Sequence, residues 1–255
     1  MQFADRTPHV NQMLAALPPS ELALLRPHLI RTRGVNGQTL HEPDERMDQV
    51  FFFESGFASM VAVADDSGRV VEVGLIGPES MVGLGLATNP AGVAYNRTMV
   101  QMPGLMHRMP AAALTGCLDQ APLLRALMLQ RQEVLFAQVS QTAACNSRHT
   151  LAQRCARWLL LAHDRVEDDE LLLTQEFLSM MLAVRRAGVT VAMQTLQAAG
   201  LIQSRRGRVL VCDRPGLERA ACGCYARVCG FAAGVQAATP IPRFENVRER
   251  VLDRA

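Results

Sequence analysis

Apolar positions near the start of the chain recur at helical spacing. Between Val10 and Leu29, leucines stand three to five residues apart, interrupted by Pro18-Pro19 and followed by Ser20-Glu21. Proline and serine are common at the first positions of helices. The pattern therefore predicts two short helices, the second beginning at Pro19 or Ser20.

From Ile30 to Met109 the pattern changes to short runs rich in Val, Phe and Thr, separated by turn-forming residues. Several short strands at regular spacing are typical of an antiparallel sandwich or barrel, so a β-roll of jelly-roll type is expected here. The predicted strands are Gln49 to Glu54, Phe57 to Ala64, Val70 to Ile76, Ala94 to Gln101 and Leu105 to Met109, with an Asp65-Asp66-Ser67-Gly68 turn between the second and the third.

The stretch after Pro110 predicts a long helical region, because it has no glycine after Gly116 and only Pro122 as a breaker as far as the tryptophan at 158. Residues four and seven apart lie on one face of a helix. One such stripe suits packing against a second copy of the helix, although an ordinary helix lying on the β domain is the alternative. The stripe consists of Leu124, Met128, Leu135 and Val139. The pattern restarts near Asn146 to His149, where we expect a hinge.

The segment after Leu171 predicts a helix-turn-helix. Thr174 is a good N-cap for a short helix that ends near Ala183, and Arg185-Arg186 opens a second helix. In that second helix, residues Val189, Met193 and Leu196 face inward. The outward positions are Arg185, Arg186, Gly188, Thr190 and Gln194.

A basic hairpin follows the second helix. Gly200 ends the helix, and the residues Leu201 to Gln203 and Val209 to Cys212 predict two strands. Their connection is Arg205-Arg206-Gly207-Arg208, the tip of a wing.

Five arginines and one acid, Glu176, lie between Leu171 and Val211. Arginines at the start of a recognition helix can bind guanine or phosphate, and wing arginines mainly contact phosphates. A solvated basic face on a helical hairpin is the alternative. The candidate DNA-binding residues are Thr174, Arg185, Arg186, Gly188, Thr190, Gln194, Arg205, Arg206 and Arg208.

Composition narrows the class of protein further. The 255 residues are 49% hydrophobic and 20% charged, which excludes a disordered chain. Residues 1–144 carry 10 Arg and 13 acids (−3), whereas residues 145–230 carry 12 Arg and 8 acids (+4), so a polyanion would bind the C-terminal part. The sequence offers no membrane helix and no apolar signal segment at residues 1–11. We therefore expect a cytoplasmic protein without a membrane partner.

These segments together resemble the Crp/Fnr family of bacterial transcription regulators. The resemblance rests on RCARWLLLAHDR (Arg154 to Arg165), LTQEFLSMMLAVRR (Leu173 to Arg186) and AGLIQSRRGRVLV (Ala199 to Val211), and in the N-terminal half on VFFFESGFASM and GRVVEVGLIGPESMVGL. It runs from about Asn11 to Tyr225. It implies an α+β chain with a cyclic-nucleotide-binding-like β-roll, a long dimerisation helix and a winged helix-turn-helix that binds palindromic operators as a homodimer. RNA polymerase is a further expected partner.

The effector stays unknown, because the sequence departs from the family's ligand motifs. Members that bind cyclic AMP carry Gly-Glu-Leu and Arg-Ser, whereas this chain has Gly83-Leu84-Gly85 and Arg97-Thr98. The acid that would hold the ribose hydroxyl is missing, so cyclic AMP is not supported. An Fnr-type iron-sulfur cluster needs N-terminal cysteines, and the first cysteine here is Cys117. The candidate effector residues are Gly83, Arg97 and Thr98.

The sequence gives only weak signals for a metal site or a catalytic site. Cys222, Cys224 and Cys229 lie close in sequence without a histidine beside them, and we interpret them as buried small residues rather than a metal site. The lone histidines His107 and His149 are interpreted as structural. No paired carboxylates, catalytic triad or complete metal set can be assembled, so an enzyme is not expected. The main alternative is a small-molecule-binding module whose helix-turn-helix binds a protein instead of DNA.

The expected organisation has four parts. They are a sensor β-roll at residues 1–120, the dimerisation helix and hinge at 121–146, the winged helix-turn-helix domain at 147–230, and a C-terminal extension at 231–255.

Overall fold

A computed structural model describes residues 11–63, 69–89 and 91–237 of the chain. The predicted turn at residues 65–68 and most of the C-terminal extension lie outside these ranges. The strands are β1 (Ile30–Gly34), β2 (Thr39–His41), β3 (Gln49–Phe53), β4 (Phe57–Val63), β5 (Val70–Ile76), β6 (Arg97–Met102), β7 (Gly104–Pro110), β8 (Glu170–Leu172), β9 (Ile202–Arg205) and β10 (Arg208–Val211).

The helices account for most of the remaining described chain. They are α1 (Gln12–Ala16), α2 (Pro19–Leu25), α3 (Ala111–Cys117), α4 (Pro122–Arg148), α5 (Leu151–His163), α6 (Gln175–Met181), α7 (Arg186–Ala198), α8 (Arg214–Ala220) and α9 (Cys224–Ala237). None of the helices within 11–63, 69–89 and 91–237 combines the length and apolarity needed to cross a bilayer.

Two antiparallel sheets form the N-terminal β-roll, with strand orders β1-β7-β3 and β2-β6-β4-β5. Strand β3 is buried on both faces because its alternating side chains enter different parts of the core. Val50 and Phe52 pack with the N-terminal helices, whereas Phe51 and Phe53 pack with residues of the second sheet. The five strands predicted from the sequence are present, and β1, β2 and β8 were not predicted.

Helix α4 starts at Pro122 because its first amide groups have a dedicated acceptor. The carboxylate of Glu21 in α2 accepts hydrogen bonds from the backbone amides of Leu123 (3.0 Å) and Leu124 (2.9 Å). Free amides at a helix start need such partners, and a negative charge there also stabilises the helix dipole. The buried carboxylate thus ties α2 to the first turn of α4.

Two of the four stripe residues on α4, Leu124 and Met128, are buried inside the chain itself, so their expected packing against a second copy was wrong. Leu124 and Met128 are fully buried among the chain's own core residues, and Leu135 packs against the β-roll beside Gly74. The sequence alternative, a helix lying on the β domain, describes these residues. The periodicity identified a face of α4 that the chain's own core buries, through both the β-roll and the short helices that pack on it.

Helix α9 lies antiparallel along α4. Gln130 Nε2 donates to the Val235 carbonyl oxygen at 2.8 Å, and Gln141 Nε2 lies 3.0 Å from Cys224 Sγ at the other end of the pair. The earlier residue of α4 thus contacts the later residue of α9, and the later residue of α4 contacts the earlier one of α9. This second packing partner explains why α4 buries the polar residue Gln130 as well as apolar ones.

The β-roll and the C-terminal half share one apolar core. Phe57, Val61 and Leu75 of the roll pack in the same cluster as Trp158 of α5. Two polar contacts accompany it: Trp158 Nε1 donates to Glu72 Oε1 at 2.6 Å, and Arg165 forms an ion pair with Glu79 at 2.8 Å. The division into domains expected from the sequence stays a prediction, and the shared core shows that the two halves pack directly.

Candidate nucleic-acid interface

The C-terminal half contains a helix-turn-helix followed by a wing. Thr174 caps α6, its hydroxyl oxygen accepting from the Phe177 amide at 3.1 Å. The turn to α7 passes through Ala183 in the left-handed region, with φ 53°. Strands β9 and β10 form the wing, and β8 adds a third strand beside β10. Val189, Met193 and Leu196 are buried as predicted, so α7 presents its other face to solvent.

The arginines at the start of α7 are free to reach a ligand. Arg185 occupies the N-cap position of α7 and Arg186 its first residue, and both are exposed. Arg186 lies 3.8 Å from the Glu176 carboxylate, and both side chains are about 70% exposed, so water screens this pair. Gln194, two turns further along α7, is also exposed.

The wing carries the second group of arginines. Gly207 adopts φ 74° at the tip of the hairpin, a conformation that suits glycine, and the exposed Arg206 precedes it. Arg205 donates to Gln203 at 3.3 Å. Arg208 pairs with Glu170 of β8, which leaves it the least available of the three.

One groove joins the two arginine groups. Its lining includes Arg186 at the start of α7 and Arg205, Arg206 and Gly207 of the wing. Polar residues that the sequence reasoning missed, Gln175 and Ser204, line it as well. Gln175 follows the N-cap Thr174 directly, which was the available signal. The recognition helix and the wing therefore present their charges to the same space.

Two of the predicted contacts have internal roles. A Cβ added at Gly188 would lie 3.0 Å from Leu151 Cδ2, so this position packs closely against α5 instead of facing the groove. Thr190 Oγ1 lies 2.8 Å from Gln175 Oε1 and joins α7 to α6. Gly188 and Thr190 thus also contribute to the packing of the helices, and the roles of all the predicted residues in binding DNA stay predictions.

The predicted effector residues separate in the structure. A cavity of about 340 Å³ in the β-roll is lined by Gly83 and Thr98, but Arg97 is not among its lining residues. Arg97 instead forms an ion pair with Glu42 at 2.7 Å. Gly83 has φ 109° and a Cβ there would lie 2.6 Å from Val50, so the backbone itself requires glycine.

The lining of this cavity is mostly apolar and, among the described residues, contains no arginine. Its one titratable imidazole, His41, donates from Nε2 to the Gln49 carbonyl oxygen at 2.8 Å. Burial lowers the pKa of His41, which keeps the ring neutral. The lining residues that the structure describes therefore offer no side-chain cation to a phosphate.

Comparisons with known proteins identify the fold and one of its domains. Residues 153–220 match the family model of the Crp-like helix-turn-helix domain. Solved structures of CRP/FNR regulators share the fold over most of the chain. The chain thus shares the fold of solved Crp/Fnr regulators, and its residues 153–220 match a Crp-like helix-turn-helix domain, as the resemblance in sequence implied.

Three similar structures illustrate the match. A CRP-family transcriptional regulator from Thermus thermophilus is 21% identical, with a TM-score of 0.61, over 74% of this chain and 96% of the other. A Crp/Fnr-family regulator from Eubacterium rectale is 19% identical, with a TM-score of 0.62, over 80% of this chain and 94% of the other. FixK2 from Bradyrhizobium japonicum is 13% identical, with a TM-score of 0.64, over 76% of this chain and 98% of the other. No curated protein matches the chain.

Proposed function

We propose that the protein binds palindromic operator DNA as a homodimer and regulates transcription, with α7 in the major groove and the wing on the adjacent backbone. The observation that carries the proposal is the groove that Arg186 and the wing residues Arg205 and Arg206 line together. Exposed arginines on a recognition helix and on a wing match the two kinds of contact that DNA requires.

The dimer contact proposed here is the exposed face of α4, which differs from the stripe considered first. Its exposed positions alternate at spacings of three and four residues, which is the heptad spacing of a two-stranded coiled coil. Phe136 is 71% exposed and Leu129 is 43% exposed on this face. We call it the exposed seam; it consists of Ala126, Leu129, Glu133, Phe136, Ser140, Ala143 and Ser147. A second copy of α4 is the occupant that such a repeat fits.

We propose that the β-roll cavity binds a small effector without a phosphate group. Gly83 and Thr98 line this cavity, so they remain candidate effector contacts, whereas Arg97 is engaged by Glu42. Occupation of the cavity would act on α4, because Gln132 and Leu135 of that helix also line it.

A binding titration with two arginine variants tests the DNA-binding proposal. The duplex is first selected from a random pool by the wild-type protein, and a scrambled duplex serves for comparison. Arg186→Ala should cost about 1 to 3 kcal/mol on the selected duplex and flatten discrimination at one base pair. Arg206→Ala should weaken binding to both duplexes alike and reduce the salt slope by about one unit.

Arg125→Ala is the matched control, since Arg125 is a half-exposed arginine of α4 outside the helix-turn-helix domain. It should leave both affinities unchanged. Equal losses for Arg186→Ala and Arg206→Ala on both duplexes would contradict the division between base and phosphate contacts. Absence of any salt-dependent DNA affinity would favour the protein-interaction alternative.

A further inference from the structure

Three cysteines and a histidine meet where α4 ends and α9 begins. The Sγ atoms of Cys145, Cys222 and Cys224 and a ring nitrogen of His149 all lie within 4.8 Å of one another. Cys145 Sγ is 3.4 Å from Cys222 Sγ, and Cys224 Sγ is 3.5 Å from His149 Nδ1. The sequence around Cys222 and Cys224 contains no histidine, and His149, at the end of α4 and more than 70 residues away, supplies one.

These distances match the edges of a tetrahedral metal site. With Zn–S bonds of about 2.3 Å and Zn–N bonds of about 2.0 to 2.1 Å, tetrahedral angles place two sulfurs about 3.8 Å apart and a sulfur and a nitrogen about 3.6 Å apart. A disulfide would need sulfurs about 2.05 Å apart. The four donors are therefore spaced for one ion that lies among them.

The local structure explains how the donors meet. Cys145 and His149 are four residues apart at the end of α4, so they lie on one face of the helix. Cys222 and Cys224 flank a single glycine at the start of α9. The antiparallel packing of α9 on α4 brings the two pairs together. Gln141 Nε2 donates to Cys224 Sγ at 3.0 Å, a contact typical of the outer shell of a thiolate site.

The charge and burial around the donors also suit a metal-thiolate complex. The three cysteines are buried and form an apolar cluster of their own, apart from the larger cores. Arg157 is only 3% exposed; its Nη1 donates to Thr142 at 3.2 Å, while its Nε has no partner among the described residues. A buried arginine requires negative charge nearby, and the charge of Arg157 interacts with both the Glu72 carboxyl and the Cys145 thiol. Three thiolates around a divalent ion carry one net negative charge.

We propose that Cys145, His149, Cys222 and Cys224 bind one structural Zn²⁺ ion, with all four coordination positions filled by protein. Thiolate and imidazole ligands in tetrahedral geometry favour zinc among the common divalent ions. The ion would fasten α9 to the hinge end of α4, close to the capping box at Thr150 that begins α5. The site would therefore hold the connection between the long helix and the helix-turn-helix domain.

Metal analysis of the full chain, purified without a histidine tag, tests this site. The wild-type protein should contain one zinc per protomer after passage over a weak chelating resin. Cys145→Ser, Cys222→Ser and His149→Ala should each contain less than a tenth of that amount. Cys229→Ser is the matched control, because Cys229 lies in α9 outside the donor group, and it should keep its zinc. His149→Cys should also keep zinc, since it supplies a fourth thiolate.

Cobalt exchange and alkylation do not depend on whether the variants fold. Wild-type protein refilled with Co²⁺ should show the intense visible bands of a tetrahedral cobalt-thiolate site. Treatment with a strong chelator should make Cys145, Cys222 and Cys224 newly reactive toward an alkylating reagent, with no such change at the exposed Cys212.

Four results would overturn the proposal. They are substoichiometric zinc in the resin-treated wild type, iron together with acid-labile sulfide, a Cys145–Cys222 disulfide in the native protein, and zinc loss in Cys229→Ser that equals the loss in Cys145→Ser.

Discussion

Glu72 is the buried acid at the contact between the β-roll and α5. It accepts hydrogen bonds from Ser59 Oγ and Trp158 Nε1, each at 2.6 Å. Burial raises the pKa of Glu72 from its ordinary value of 4.5 to about 7, while the two hydrogen bonds and the charges of Arg157 and Arg165 oppose the shift. A neutral carboxyl is therefore favoured at this contact below neutral pH.

The raised pKa of Glu72 makes folding stability depend on pH. Between pH 4.5 and about 7 the folded chain keeps a proton that the unfolded chain has lost, so the free energy of unfolding falls as pH rises. The fall is on the order of 3 kcal/mol across this window. Glu72→Gln should remove this slope and be more stable than wild type above pH 7, as measured by urea unfolding at several pH values. Glu45→Gln, at an exposed position, should retain the wild-type slope; an unchanged slope in Glu72→Gln would contradict the prediction.

Leu84 and His41 lead to a prediction about cyclic AMP. Leu84 stands where the ribose-binding acid is expected from the family motif, and the neutral His41 is the only imidazole that lines the described cavity. A buried hydroxyl and a phosphate would both lack partners there, and such losses cost about 1 to 3 kcal/mol or more for each group. Titration calorimetry should detect no binding of cyclic AMP at micromolar concentration. Micromolar affinity would show that other groups supply the missing contacts.

Single residues also mark the limit of sequence reasoning. The inward residues of α7 and the arginines of the wing could be predicted because helix, turn and hairpin patterns are local. The approach of Cys145 to Cys222 could not, because 77 residues separate them and only the packing of α9 on α4 brings them together. For the same reason, nothing in the sequence connects Glu72 with Trp158.

At the level of elements, α4 shows why a periodic pattern does not determine which surface it covers. The helix contacts the β-roll on one face and α9 on another, and the exposed seam forms a third face. A stripe with good spacing could belong to any of them. Strand β1 was missed for a related reason: it lies at a sheet edge, two of its five residues are arginines, and most of its residues are exposed.

The exposed seam gives a prediction about association. Phe136→Glu should convert the protein from dimer to monomer at micromolar concentration, because a charge in the centre of a helix pair would lose its hydration without a partner. Sedimentation velocity measures the change. Val35→Asp is the control, since Val35 is 58% exposed between β1 and β2, far along the chain from α4, and should leave the dimer intact. A dimer that persists in Phe136→Glu would place the contact elsewhere.

On the scale of the whole molecule, the proposed dimer would relate two copies of α7 by a twofold axis and so fix the form of the operator. Their half-sites should lie about one helical turn apart, about 10 base pairs from centre to centre. Inserting about five base pairs between the half-sites puts them on opposite sides of the duplex, so only one helix-turn-helix can bind. Affinity should fall by about tenfold or more, whereas inserting a full turn should restore part of it. Equal affinity for all spacings would indicate binding by independent monomers.

Because α9 packs antiparallel on α4, the contact between the two helices forms only after the residues between them have been translated. Gln130 and its partner Val235 are separated by 105 residues, so at about 5 to 20 residues per second roughly 5 to 20 s pass between their translation. During this interval the β-roll can fold against one face of α4 while the face that α9 later covers stays open to solvent. A chain that terminates before residue 224 would therefore keep its arginine groove and wing but leave Gln130 of α4 without its acceptor in α9.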